Sequence, residues 1–270
     1  VQALSREKHK ITVVIPSTPQ SWISKAHLVG KSLTATPVYP DSHAKSDEIE
    51  WTAVDGTPAS CTQLGLYHLT SHRGPIDMVV SGPNWGRNVT TLYNLASGTV
   101  GGALEGAQCG KKAIAVSFAS KDKVPADTIE AACQISARLI SHLGKTWTAG
   151  VELYAVNVPM IAGIDKRKAI YTTSLPCYWT QSSLFQEMET ATSNCTAPAP
   201  TRSAREFKWR PQLKDVERSI ARGEAGTDGW AMVEGYIRYF KSFNVNEAML
   251  IAHPKRNADG RHLSFNRSLD

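Results

Sequence analysis

The segment "IDMVVSGPNWGRNVTTLYNLASGTVGGALEG" (76–106) constrains the fold more than any other part of the chain. It opens on a short uninterrupted apolar run, the pattern of a strand buried on both faces. It then crosses a loop dense in glycine and asparagine and closes on Ser97-Gly98-Thr99, a helix start followed by small residues. A buried strand that hands over through such a loop to a helix is half of a parallel α/β unit. Ordinary connections are shorter and need fewer turn residues. This one is suited to bringing backbone close to a ligand.

The same pattern recurs on both sides. "ITVVIP" (11–16), "AIAVSFA" (113–119) and "VELYAVNVP" (151–159) read as further buried strands. "SCTQLGLYHLTSH" (60–72), residues 97–110 and "ADTIEAACQISARLISHLG" (126–144) read as helices. Ser60 is expected to cap the first and Gly110 to stop the second. In the third, Ile129, Cys133, Ile135, Ile140 and Leu143 fall on or near one face. "VQALSREKHK" resembles the last turns of a helix, which predicts at least one element upstream of Val1.

This alternation predicts an α/β fold, a mostly parallel sheet with helices on both faces, over residues 1–162. Regularity drops beyond that. Residues 163–270 are expected to form an irregular C-terminal extension of the same domain, with hairpins and a contact surface for a homodimer or tetramer. Within it "TATSNCTAPAPTRSA" (190–204) reads as a polar loop and "GYIRYFKSFNV" (235–245) as an aromatic-rich strand.

Composition narrows the function classes. The net charge of +6 over 270 residues is modest, and no basic stripe with interleaved aromatics appears, which argues against a nucleic-acid polymer as partner. No apolar run approaches the roughly 20 residues of a membrane span. The five cysteines are odd in number and form no C-x-x-C pair. They fit neither a disulfide framework nor a zinc site and point to a reducing, cytoplasmic compartment.

In an open α/β sheet, ligands sit beyond the carboxyl ends of the strands. Two loops fall there: the one after Val80 and "PSTPQSWISKAHLVG" (16–30). In the first, Asn84 can offer a metal its carboxamide oxygen, and Asn88 can turn its NH₂ toward a phosphoryl oxygen. Ser97, Gly98 and Thr99 open a helix whose free N–H groups make an anion site. Plain turn geometry explains the asparagines and glycines equally well. In the second loop Ser21 could ligate a metal, Lys25 could neutralise phosphate, and His27 could act as a general acid or pack as a structural residue. Both loops lack a strong acid, whereas a divalent cation needs carboxylates. Glu105, inside the helix, reads as a packing anchor.

These residues resemble the SurE (survival protein E) family of metal-dependent nucleotidases and phosphatases. "IDMVVSGPNWGRN" with "SGTVGGALEGAQCGKKAIAVS" is similar to its D-x-V-V-S-G-x-N-x-G-x-N and S-G-T-V-x-A-A-x-E-G patterns. "VVIPSTPQSWISKAHL" and "DGTPASCTQLGL" resemble two further segments, and Gln-Ser-Trp, Lys-Ala-His-Leu and Ser-Gly-Pro-Asn resemble the fungal branch, described as acid phosphatases or as a domain attached to a tubulin-tyrosine-ligase-like module. The likeness is good over residues 7–160 and thin to about 236. It implies a Rossmann-like core over residues 1–162 that lacks its first strand, and a phosphomonoesterase with one divalent ion, Mg²⁺ or Mn²⁺, acting on nucleoside monophosphates or similar small phosphate esters. Ser21 and Asn84 match its neutral metal ligands, and Asn88 and Ser97-Gly98-Thr99 match its phosphate contacts. Its two adjacent aspartates, in an N-D-D-G motif ending the first strand, have no counterpart here. Either they lie upstream of Val1, or the chain is a non-catalytic interaction domain. Trp22 stands where the family has glycine.

Overall fold

The computed structural model describes residues 1–39, 50–120, 123–188, 205–234 and 237–242. In chain order the elements are α1 (Gln2–Arg6), β1 (Thr12–Pro16), β2 (Ala35–Pro37), β3 (Glu50–Val54), α2 (Pro58–Leu64), β4 (Met78–Trp85), α3 (Thr90–Ala96), α4 (Gly98–Gln108), β5 (Lys112–Ala119), α5 (Ala126–Lys145) and β6 (Leu153–Pro159). Then follow β7 (Ala169–Tyr171), β8 (Phe185–Glu187), β9 (Phe207–Trp209), α6 (Lys214–Ala221), α7 (Asp228–Val233) and β10 (Ile237–Ser242). The predicted loop at 190–204 lies outside the described residues apart from its flanks.

The strands expected from apolar runs at 11–16, 76–82, 113–119 and 151–159 appear as β1, β4, β5 and β6. The expected helices appear as α2, α4 and α5, with α2 ending already at Leu64, while β2, β3 and α3 lie outside that expectation. The α/β class is as expected. β4, β5 and β6 run parallel, and β10 joins antiparallel to β6 with β7 beyond it. The C-terminal segment therefore extends the main sheet while β8 and β9 pair separately as an antiparallel ribbon. A second sheet has the order β1-β3-β2, with β1 and β3 parallel.

Helices cover both faces. On one, Val100 and Ala103 of α4 pack against Ala113 and Ala115 of β5 and Leu153 and Ala155 of β6. On the other, α5 packs Ala132, Ile140 and Leu143 onto Ile114, Val116, Tyr154 and Val156. The buried face of α5 carries Thr128, Ala132, Ser136, Ile140 and Leu143, whereas Ile129 is exposed. Ile140 and Leu143 of the expected face are buried and Cys133 and Ile135 pack against the same core, so the face is as expected apart from Ile129 at its exposed margin. A second local correction concerns α2, whose cap is Thr57. Its side chain accepts from the Ser60 backbone N–H, and Ser60 sits inside the helix.

The sheets do not join. Among the described residues β1 has no partner beyond β3, and β4 has none beyond β5. Residues of both strands line one groove of about 2100 Å³. Val13, Val14, Val79 and Val80 are only half-buried there, whereas the interiors of β5 and β6 are fully buried.

Glycine sets the closeness of α4 to the loop after β1. A Cβ on Gly101 would lie 2.1 Å from the Ser24 carbonyl oxygen, and one on Gly98 would lie 2.7 Å from that of Gln20. Gly101→Ala must therefore push backbone off backbone, at a cost of about 1–3 kcal/mol. It is expected to lower the thermal midpoint; an unchanged midpoint would mean that the loop lifts off freely.

Candidate active site

The site forms at the carboxyl ends of β4, β5 and β6, from three polar residues in one cross-strand row. Asn84 pairs in register with Ser117, and Ser117 with Asn157. Ser117 and Asn157 are almost wholly buried inside otherwise apolar strands. Such groups must find partners, and all three find the same one. The Asn88 backbone N–H donates to Asn157 Oδ1 at 2.8 Å, and Asn157 Nδ2 donates to the Asn88 carbonyl at 2.8 Å. Asn88 Nδ2 donates to Ser117 Oγ at 2.7 Å and makes a longer contact of 3.4 Å with Asn84 Oδ1.

That clamp fixes the turn between β4 and α3. It is reinforced by Gly86 N–H donating to the Phe118 carbonyl at 2.9 Å and by Thr90 N–H donating to Asp228 Oδ2 at 2.9 Å. Asp228 Oδ1 also accepts from the Leu175 N–H, so α7 ties the C-terminal segment to the turn. Gly82, at φ +109°, has no room for a Cβ beside the Val116 carbonyl. The glycine here is a packing requirement.

α4 begins beside this turn. Ser97 caps it through Oγ, which accepts from Val100 N–H at 3.1 Å. The first N–H groups of the helix are left without intrahelical partners, so the end carries partial positive charge. Ser97, Gly98 and Thr99 line the same groove as Asn84 and Asn88, and so does Ser21 from the loop after β1. Six of the eight residues expected in the site therefore line one large groove.

Lys25 and His27 do not line the groove. Both are drawn to Glu105, a carboxylate buried on α4: Lys25 Nζ lies 2.6 Å and His27 Nε2 3.3 Å from its Oε2. Gln63 Nε2 donates to Glu105 Oε1 at 2.5 Å, and His27 Nδ1 lies 3.0 Å from Ser60 Oγ. Burial opposes ionisation of Glu105, but hydrogen bonds from Lys25 and Gln63, the Lys25 charge and the His27 contact outweigh it. Its carboxyl is held below the ordinary range. The loop is fastened a second time by Ser24, whose N–H and Oγ donate to the Ala96 and Leu95 carbonyls at 3.0 and 2.6 Å.

Strain gathers around the same wall. Trp22 (φ +60°), Ser24 (φ +54°) and Thr90 (φ +64°) are three of the four non-glycine residues with positive φ among the described residues. Such conformations persist where surrounding contacts over-determine them. Trp22 is held by Tyr93, Trp179 and Trp209, whose ring centroids lie 5.9, 6.5 and 5.2 Å away.

The donors available for a cation are the neutral oxygens of Ser21 and Asn84. No group of three His, Cys, Asp or Glu able to hold a metal occurs among the described residues. The described residues fit the neutral part of a hard-cation shell and do not complete it.

Comparison with known proteins decides the family. The model of the family described as Survival protein SurE matches residues 1–181. The chain belongs to the SurE family. It is 38% identical over 195 residues to the probable tubulin–tyrosine ligase PBY1 of Saccharomyces cerevisiae, covering 60% of this chain and 26% of that protein. It is 37% identical over 161 residues to the 5'-nucleotidase SurE of Rhodopirellula baltica, covering 58% of each. The chain thus spans about a quarter of the yeast relative and a little over half of the bacterial one. The SurE protein of Aquifex aeolicus superposes with a TM-score of 0.62 over 93% of both chains at 20% identity, a likeness of fold. Among the described residues no helix is long and apolar enough to cross a membrane.

Two expectations follow from this SurE-family site. Asn157→Ala removes both partners of the Asn88 backbone and should cost about 2–3 kcal/mol of stability, read by denaturant unfolding. Glu105 has a depressed carboxyl pKa, so its contribution is complete above the unfolded-state value and is lost as pH falls through the folded one. Glu105→Gln should therefore flatten the loss of stability below about pH 4.5. An unaltered acid limb would remove Glu105 from the account.

Proposed function

We propose that this chain is part of a metal-dependent phosphomonoesterase acting on nucleoside monophosphates or similar small phosphate esters. The observation that carries the reading is that Ser21, Asn84, Asn88 and the N-terminus of α4 all border one groove, at the carboxyl ends of parallel strands. The printed name of the Rhodopirellula relative, a 5'-nucleotidase, agrees with it. In this reading the α4 N–H groups receive the phosphoryl oxygens, joined by the Asn88 Nδ2 hydrogen that otherwise makes the long 3.4 Å contact with Asn84 Oδ1, and they stabilise the charge that develops there. Ser21 and Asn84 supply neutral ligands to a divalent ion, Mg²⁺ or Mn²⁺. When bound, such an ion polarises the phosphoryl group and lowers the pKa of a bound water. Lys25 and His27 act through Glu105, holding the Ser21 loop against α4.

A dication also requires carboxylates. In this reading they sit at the end of a further strand lying in the groove between β1 and β4, where both strand edges are unpaired among the described residues. The neutral character of the donors on this chain favours a second reading, a binding domain that does not turn substrate over. Hydrolysis of an aryl phosphate separates the two.

The phosphomonoesterase reading expects release of phosphate that stops with chelator and returns with Mg²⁺ or Mn²⁺. Turnover indifferent to chelation would overturn the metal assignment. Asn88→Ala should lower kcat about 10²-fold with little change in metal dependence, as for loss of one donor to a developing oxyanion. Asn84→Ala should instead raise the metal concentration required. Negligible effects of both would refute the site.

A further inference from the structure

We propose that Arg87 is a second anion-recognising residue of the site, selecting phosphate esters whose organic part carries a further negative charge, a carboxylate first. The inference rests on the phosphate-ester reading and deepens it. Strand alternation fixes the face. Ser117 follows Ala113 and Ala115, and Asn157 follows Leu153 and Ala155, on the side of the sheet that α4 covers. Asn84, in register with Ser117, is on that side too. So is α3, which begins two residues after Asn88 and runs directly into the Ser97 cap of α4.

Direct contacts place Arg87 beside that helix start. It precedes Asn88, whose backbone is clamped to Asn157. Its guanidinium lies 5.9 Å from the Tyr93 ring centroid, with Nη1 3.7 Å from Met232 Sδ. Tyr93 stands about one turn before the Ser97 cap, and its ring meets that of Trp22 at 5.9 Å. Trp22 adjoins Ser21, and the same loop is tied to the end of α3 by Ser24 N–H donating to the Ala96 carbonyl. Arg87, Tyr93 and Trp22 thus form a row along α3, away from the edges of β1 and β4 where a further strand would lie. α3 has seven residues and is about 10 Å long. A small ester anchored at the α4 N-terminus can therefore reach Arg87.

Charge supplies the rest. Arg87 is half-buried, yet it forms no ion pair among the described residues. Lys25, by contrast, is neutralised by Glu105. Glu217 of α6 lines the groove as well and does not pair with Arg87. A guanidinium held against a ring and a sulfur keeps N–H donors for a carboxylate or phosphate, whose geometry it matches as a fork. Its stem is already packed, so binding costs little further ordering. The α4 N-terminus is the first positive centre on this side and Arg87 the second. Two such centres suit a ligand with two negative groups.

The test titrates the full-length protein by calorimetry, in the presence of Mg²⁺, with 5-phosphonopentanoate, pentylphosphonate and inorganic phosphate. The two phosphonates resist hydrolysis and differ only in a carboxylate against a methyl group. The carboxylate is expected to tighten binding about tenfold or more, the worth of one hydrogen bond between charged groups. Arg87→Met keeps a stem against Tyr93 and Met232 but removes the charge. It should abolish that preference and leave inorganic phosphate nearly unchanged, whereas Arg87→Lys should retain part of the preference. A preference that survives Arg87→Met overturns the inference. So does an equal loss of affinity for all three ligands, which would put Arg87 on the phosphoryl group itself. If the unsubstituted protein binds none of the three, the phosphate-site reading fails. If it binds both phosphonates equally, only the role of Arg87 fails.

Discussion

The arrangement around the site depends on one buried exchange of hydrogen bonds, that between Asn157 and the backbone of Asn88. A turn that crosses the end of a parallel sheet puts peptide groups where water cannot reach them, and each must be paired. Here a side-chain amide from β6 performs as a strand would, accepting from one N–H and donating to one carbonyl. Because Ser117 and Asn84 continue the row across β5 and β4, the Asn88 side chain is oriented by the same sheet that holds its backbone. The strand ends thereby become a template for the loop, and the position of Asn88 follows from sheet register.

α4 is the second fixed body, and its small residues explain why two loops can meet over it. One side packs alanine and valine onto β5 and β6. Another lies so close to the Gln20–Lys25 backbone that Gly98 and Gly101 leave no space for a Cβ. Contact without hydrophobic side chains provides little apolar burial, so the loop needs specific ties. Glu105 supplies them one turn further along the helix, through Lys25 and His27, while Trp22 is gripped by three rings from α3 and the C-terminal segment. The positive φ of Trp22 and Ser24 costs energy, which these contacts offset.

The sequence made β1, β4, β5 and β6 and three of the helices legible, because burial period and helix capping are local signals, and it named six residues that line the groove. A structural His27 and an anchoring Glu105 were each legible, but not that Lys25 and His27 meet at Glu105, which lies some eighty positions away and reaches the loop only on folding. Ser117 and Asn157 were missed although a signal existed: each is a polar residue inside an uninterrupted apolar strand, near its carboxyl end. Their alignment is a property of register, which one strand alone does not contain. The cap of α2 was misplaced for a smaller reason. Thr57 and Ser60 stand three apart, and either hydroxyl suits a cap until the Thr57 backbone is seen to be extended.

The unpaired edges of β1 and β4 bear on the chemistry as well as on the fold. In a parallel sheet covered on both faces, central strands are the most buried, yet the valines of these two are half-exposed to a common groove. Exposed strand edges with apolar side chains are sites of further pairing. A strand parallel to both would carry its last residues toward Ser21 on one side and Asn84 on the other, since each follows or ends a strand bordering the groove. The charge argument leads to the same place. The α4 N-terminus draws anions, and the donors proposed for a cation, Ser21 and Asn84, are neutral. In the proposed reading a cation beside them would take its negative ligands from the direction of the groove. Sheet completion and charge neutrality would then be met together, by one strand bearing carboxylates at its end.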